Sequence, residues 1–317
     1  FRSRWHCCLL AASTMFGGGQ QIDTTIHNPV KVIHNVTAGH FEVHPEQISW
    51  GSKLGEGAMA QIFRARIKLP DGQVQECVAK KLKHGTESNS QAYKDLVMEL
   101  DILTSVQKHP NLVQFFGACI KDTNNPIILE EYVEGPNLED FLSKRNGKRL
   151  PKPTLYKWSM DLLRALDFLH NRNPIIIHRD LKPANLMLTK DLELLKLADF
   201  GMSKKVDSAM RLQSTHKGHT GTLRYMAPEV ANQRTGMYTE KVDIYGAALI
   251  MWYMSTCQRP DLNKTDPTAR PDLRLVGWDA FSNLIRNMWS HEPEQRPSAA
   301  VCIQQMTAFP DKPMPHE

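Results

Sequence analysis

The sequence predicts an α+β chain in which strands come first and helices follow, and three patterns carry that prediction. From Ile48 an orderly run leads through Leu54 and Ile62 to a polar turn at Pro70-Asp71-Gly72 and a strand from Val74 to Leu82, and Ile127 to Val133 is a further buried strand. Between them Ala92, Leu96, Glu99 and Leu103 recur at spacings of four, three and four, which is one face of a helix. Beyond residue 150, Leu155, Trp158, Leu162, Ala165, Leu166 and Leu169 repeat at helical spacing, and Ile244 to Met254 is almost wholly apolar, as a buried helix would be.

Bulk properties set the frame. At 317 residues the chain exceeds the usual domain size, so one domain of about 260 residues with a shorter extension is expected. Lys and Arg number 39 against 34 Asp and Glu, a net charge of +5, and no long basic block or aromatic-interleaved basic stripe occurs, so nucleic acid is not an expected partner. The cysteines, at 7, 8, 77, 119, 257 and 302, form no Cys-x-x-Cys pair and sit mostly in apolar runs, the usage of reduced thiols in an intracellular protein, and a cytoplasmic location is the expectation. The apolar stretch from Cys7 to Phe16 is short and interrupted by Ser13 and Thr14, so no membrane span is expected in this chain. The sequence opens at Phe1 without an initiator Met, so an upstream portion is expected, and tethering through it stays open. Residues 1–45 carry Gly17-Gly18-Gly19 and scattered His27, His34, His40 and His44 without zinc-site spacing, and read as a linker or the remnant of an upstream region.

The chemistry lies in His178-Arg179-Asp180-Leu181-Lys182-Pro183-Ala184-Asn185-Leu186, followed by Asp199-Phe200-Gly201. A lone His-Arg-Asp is usually a solvated turn and a lone Asp-Phe-Gly a simple turn signal, but the long match resembles the catalytic and metal-binding loops of eukaryotic protein kinases. That resemblance implies phosphoryl transfer from ATP: Asp180 at the substrate hydroxyl, Lys182 as a point charge for the transferring phosphate, and Asn185 with Asp199 as oxygen ligands for Mg²⁺. In the family a Lys at the place of Lys182 accompanies serine/threonine substrates. Leu186-Met187-Leu188 and Leu194-Leu195-Lys196-Leu197-Ala198, lying between the two loops, are expected to pair as a hairpin that brings Asn185 and Asp199 together.

Other motifs appear in family order. Leu54-Gly55-Glu56-Gly57-Ala58-Met59-Ala60-Gln61-Ile62 resembles the glycine-rich loop over the phosphates, with Leu54, Gly55, Gly57 and Ile62 at the nucleotide and Ala60 where the family has a third glycine. Cys77-Val78-Ala79-Lys80-Lys81-Leu82 aligns with the phosphate-binding strand in two ways. Strand alternation favours Lys80, which leaves Cys77 and Ala79 for the core, whereas Lys81 would keep the family's Ala two residues earlier. The resemblance makes Glu99 the partner of the strand lysine, and backbone groups of Glu131 and Val133 the contacts to adenine. Glu130 falls at the gatekeeper position, where the family usually has Thr, Met or another apolar residue; a buried carboxylate there needs a cation, possible in the strand lysine, or the alignment is off by one.

In the second part, the resemblance gives Asp243, which could otherwise be a plain helix cap, the task of bracing the catalytic loop; it pairs Glu229 of Ala227-Pro228-Glu229 with Arg296, and sets Thr222 against Asp180. Arg179 beside Asp180 is the family's sensor of a phosphorylated activation loop, and Ser214, Thr215 and Thr220 are candidate sites for an activating kinase or autophosphorylation in trans. The expectation is thus a bilobal kinase fold of the tyrosine-kinase-like group over residues 46–310. Its small lobe (46–133) is a five-stranded antiparallel sheet with one helix, its large lobe (134–310) is mainly helical, and residues 311–317 form a tail. It would use ATP and Mg²⁺ on protein Ser/Thr hydroxyls. The alternative is an ATP-binding pseudokinase or scaffold module of a larger signalling protein, motivated by Ala60, Glu130 and the uncertain lysine.

Overall fold

A computed structural model describes Val36 and residues 41–313 apart from 57–59, 70–71, 84–90, 107, 121–125, 207–211, 214–221, 232–236 and 262–268. The chain first builds a five-stranded antiparallel sheet from β1 (Ile48–Glu56), β2 (Ala60–Lys68), β3 (Val74–Leu82), β4 (Phe115–Cys119) and β5 (Ile127–Glu131), in the order β1-β2-β3-β5-β4. Helix α1 (Gln91–Ser105) crosses between β3 and β4. The register is continuous across β2 and β3, with Ile62 opposite Lys80, and across β3 and β5, with Val78 opposite Glu130. Directly opposed residues share a face, so the alternation of each strand sorts side chains between two environments. Cys77, Ala79, Ile127 and Leu129 fall on the side of a small cluster with Val43, Ile48, Ala65 and Ile67, while Val78, Lys80, Ile128 and Glu130 face α1 and the second lobe. Of the two lysines, Lys80 points inward with Val78, and Lys81 lies on the other face.

The second lobe follows with α2 (Leu138–Ser143), α3 (Lys152–His170), the short strands β6 (Ile175–Ile177), β7 (Leu186–Leu188), β8 (Leu195–Leu197) and β9 (Lys204–Val206), then α4 (Pro228–Ala231), α5 (Lys241–Thr256), α6 (Asp279–Met288) and α7 (Ala299–Thr307). The apolar row of α3 is buried from Leu155 to Leu169, and α5 is buried along almost its whole length, which is why its sequence shows no polar face. β7 and β8 form the expected hairpin, and β6 pairs with β9. Among the described residues no helix is long and apolar enough to cross a membrane, and Cys77, Cys119, Cys257 and Cys302 are free thiols in the interior.

The packed body reaches further upstream than residue 46. Val43 donates its N–H to the Ala118 carbonyl, Ala118 donates to the Phe41 carbonyl, and the Phe41 ring lies 5.4 Å from Phe115. Burial of two apolar side chains on the edge of β4 recruits this stretch, although nothing periodic marks it in the sequence. At the other end Asp311 accepts from Trp278 Nε1 at 2.8 Å, so the start of the expected tail is tied to α6.

Candidate active site

The cleft between the lobes gathers two groups of charge. On the small-lobe side Lys80 Nζ lies 2.5 Å from Glu99 Oε1, a pair buried between β3 and α1. Across the cleft Asp199 Oδ1 stands 3.6 Å from the same nitrogen. Burial works against the Lys80 ammonium, but Glu99, Asp199 and Glu130 around it raise its pKa above the ordinary lysine value. Burial alone would raise the Asp199 carboxyl; Lys80, His178 and Lys182 outweigh it and hold the group below the usual range. Gly201 packs so close that a Cβ there would lie 3.3 Å from Asp199 Oδ1 and 3.5 Å from Lys80 Nζ.

On the large-lobe side Asp180 Oδ2 is 2.5 Å from Lys182 Nζ, and Asn185 Nδ2 donates to the Asp180 carbonyl at 2.9 Å and to its carboxylate at 3.2 Å. The two motifs are joined through the hairpin: the Ala198 N–H, one residue before Asp199, donates to the Asn185 carbonyl at 2.9 Å. Asp180, Lys182 and Asn185 therefore stand in one hydrogen-bonded unit, with Asp199 and Lys80 next to it.

The loop that carries them is held from beneath. Asp243 accepts from the backbone N–H of His178 at 2.8 Å and of Arg179 at 2.9 Å, and from His170 Nε2 at 2.9 Å. Burial pushes the Asp243 carboxyl up, but the His170 bond, the His170 and His178 imidazoles and the Arg179 N–H leave it below its ordinary value. Asp243 is no helix cap, because α5 begins at Lys241 and Glu240 occupies the cap position. His178 is fully buried, with Nε2 3.1 Å from the Ala198 carbonyl and its ring edge-on to Phe200. Arg179 and Asp199 both adopt left-handed backbone, φ 71° and 66°, a conformation that costs a non-glycine residue about 1–2 kcal/mol and persists where surroundings dictate it.

Other expected residues fall as follows. Leu54 is half-exposed on β1, Gly55 pairs with Ile62, and Ile62 lies over Lys80 in the register of β2 and β3. Gly57 lies outside the described residues, as do Ser214, Thr215, Thr220 and the side chain of Thr222. Val133 is buried past the end of β5, and Glu131 anchors that segment through its carboxylate, 2.6 and 2.8 Å from Lys196 Nζ. Glu229 and Arg296 form a bidentate pair at 2.7 and 2.8 Å. Glu130 lies on the inward face opposite Val78 and forms no salt bridge with Lys80.

Three partners escaped sequence reasoning: Lys196 for Glu131, His170 for Asp243, and Lys205, whose Nζ is 2.9 Å from Asp101 and ties β9 to α1. Each lies 65 or more residues from its mate, and no local pattern announces it.

Among the described residues no group of three or more His, Cys, Asp and Glu side chains is placed to hold a metal ion. The donor set at the cleft is instead a carboxylate and an amide oxygen, since Asn185 spends its Nδ2 on Asp180. One or two hard oxygen ligands, with phosphates and water completing the shell, is how Mg²⁺ usually binds.

A protein-family model described as protein kinase domain matches residues 48–307. The chain is 32% identical over 267 residues to serine/threonine/tyrosine-protein kinase HT1 of Arabidopsis thaliana, covering 79% of this chain and 63% of that protein. It is 30% identical to serine/threonine-protein kinase VIK of the same plant, covering 81% and 59%, and 30% identical to dual specificity protein kinase shkA of Dictyostelium discoideum, covering 82% and 49%. The chain thus spans less than two thirds of the length of these relatives. It belongs to the protein kinase family, and its domain resembles those of the tyrosine-kinase-like group.

Proposed function

We propose that the domain transfers the γ-phosphate of ATP to serine or threonine hydroxyls of protein substrates. The observation that carries this is the convergence of Asp180, Lys182 and Asn185 with Asp199 and Lys80 at one cleft, fixed through the Ala198 to Asn185 bond and the Lys80–Glu99 pair. Asp180 orients the acceptor hydroxyl and takes its proton, and Lys182 stabilises charge on the transferring phosphate. Lys80, held by Glu99, grips the phosphates, while Leu54, Gly55, Gly57 and Ile62 cover the nucleotide and backbone groups of Glu131 and Val133 hold adenine. Asn185 and Asp199 would hold Mg²⁺, which when bound neutralises the phosphate charge. Arg179 would read a phosphate on Ser214, Thr215 or Thr220, placed there by another kinase or in trans.

The test is Mg²⁺-dependent transfer of labelled phosphate from ATP onto the chain itself and onto peptides offering Ser, Thr or Tyr, the last because two relatives carry tyrosine or dual specificity in their names. Asp180→Asn should lower the rate by about 10²–10⁴-fold with ATP binding kept. ATP binding without transfer in the unmodified chain would instead support a nucleotide-binding scaffold.

A further inference from the structure

Two acids of α1, Glu99 and Asp101, are buried, and each is met by a lysine from a different element. Glu99 faces Lys80 on β3. Asp101, two residues and therefore about 200° further round the helix, faces Lys205 on β9. Lys205 Nζ lies 2.9 Å from Asp101 Oδ2 and donates to the Asp101 carbonyl at 2.9 Å, with both side chains 11% exposed. The contact falls near the C-terminal end of α1, where the helix dipole favours a cation. The strand that carries Lys205 is tied to the catalytic loop at two points. Lys205 pairs with Ile176 of β6, and β6 runs straight into His178-Arg179-Asp180. Ser203, two residues before Lys205, donates its hydroxyl to the His178 carbonyl at 3.2 Å. A buried ammonium with two acceptors on one residue resists exchange, because withdrawing it removes the cation from a buried carboxylate.

We propose that Lys205 is a positioning residue for phosphoryl transfer: its pair with Asp101 fixes α1 against β9 and thereby keeps Glu99 on Lys80. This rests on the function proposed above. Glu99 holds Lys80 through one contact, and a rotation or withdrawal of α1 would take it away. The Lys205 contact grips the helix from another side, so a movement that loosens one pair is opposed by the other. It also joins α1, β9 and the catalytic loop into one unit, in which a chain of fixed contacts sets the spacing between Lys80 and Asp180. The competing role for the pair is a staple that adds stability alone, and kinetics separate the two.

The experiment is steady-state transfer from ATP to a peptide offering Ser and Thr, using the full chain, with thermal melts fixing a temperature at which every variant is folded. Lys205→Met keeps most of the stem and removes the charge. It should lower kcat by about ten- to a hundredfold, the scale of loss when a distant change displaces reacting groups by about 1 Å, with the peptide KM little changed. Asp101→Asn keeps the shape and the backbone contact, should act in the same direction, and serves where Lys205→Met does not fold. Because Lys205 acts through Glu99, adding Lys205→Met to Glu99→Gln should cost little beyond Glu99→Gln alone. A lower melting temperature with kcat unchanged, or losses that multiply in the double variant, overturns the proposal and leaves the transfer function standing. Absence of transfer by the unmodified chain would overturn that function, and the positioning role with it.

Discussion

Two buried ion pairs in this molecule use nearly the same chemistry to opposite ends. Arg296 gives two parallel hydrogen bonds to Glu229, and its other N–H groups reach the carbonyls of Ser290, Lys241 and His291, with the guanidinium 5.0 Å from the Tyr245 ring. Lys80 makes one short contact with Glu99 and stands at longer range from Asp199. The guanidinium is a planar fork whose donors are all spent on fixed oxygens, whereas the ammonium is a point charge whose partners can be exchanged. The first pair locks α4 to the segment before α7. The second holds a cation at the cleft ready for phosphate oxygens. Burial and opposite charge alone therefore do not say whether a pair is structural; the number of committed donors does.

The largest effect should come from breaking the committed pair. Arg296→Ala leaves the Glu229 carboxylate without its guanidinium and removes a donor from the Ser290, Lys241 and His291 carbonyls, and should lower the stability of the domain by about 3–5 kcal/mol in urea titrations near pH 7. Arg296→Lys should recover only part, because one ammonium cannot serve both carboxylate oxygens and three carbonyls. Glu99→Gln should cost much less stability and act on phosphoryl transfer instead. Equal destabilisation by Arg296→Ala and Glu99→Gln would erase the distinction between the pairs.

The next effect concerns the acid that neither pair satisfies. The Glu130 carboxyl, at about 4.5 in the unfolded chain, is raised to about 7 by burial in the fold, so between these values the native state binds the extra proton. The penalty for burying its charge is absent below about pH 4.5, grows as pH rises to about 7 and is constant above, reaching about 3 kcal/mol at most. Glu130→Gln should therefore be more stable than the unmodified chain at pH 8, with the gain fading toward pH 5. Thermal melts at the two pH values check this, and a difference independent of pH would mean that Glu130 does not change its charge within the fold.

Much of this was legible in the sequence for definite reasons. Alternation along β3 separates Lys80 from Lys81, because residues two apart share a face: Lys80 falls with Val78 toward α1, and Lys81 falls with Cys77 and Ala79, half-buried at the end of the strand. The spacing of Leu96, Glu99 and Leu103 turns Glu99 inward, and all three are buried. Glu130 is visible in the sequence as a misfit, but its lack of a partner emerges only when Glu99 and Asp199 are seen to have engaged Lys80 first. Lys196, His170 and Lys205 were illegible because each bond depends on how separate elements pack, and a stretch as short as Phe41-Glu42-Val43, with two apolar side chains, carries too little pattern to reveal that it lies along β4.

The smallest effect should come from an exposed pair, which completes the comparison. Lys157 on α3 contacts Glu193 in the β7–β8 turn, with side chains 41% and 67% exposed, against 0% and 12% for Arg296 and Glu229. In water the attraction is screened and is largely offset by the entropy of holding two long side chains in one geometry. Lys157→Ala should change stability by less than about 1 kcal/mol, and the change should shrink further in 0.5 M salt, while Arg296→Ala keeps its full effect because its loss is one of unsatisfied buried groups and not of screened charge. Urea titrations of both variants at low and high salt test this directly. Salt sensitivity in Arg296→Ala comparable to that in Lys157→Ala would show that long-range charge, rather than committed donors, sets the strength of the buried pair.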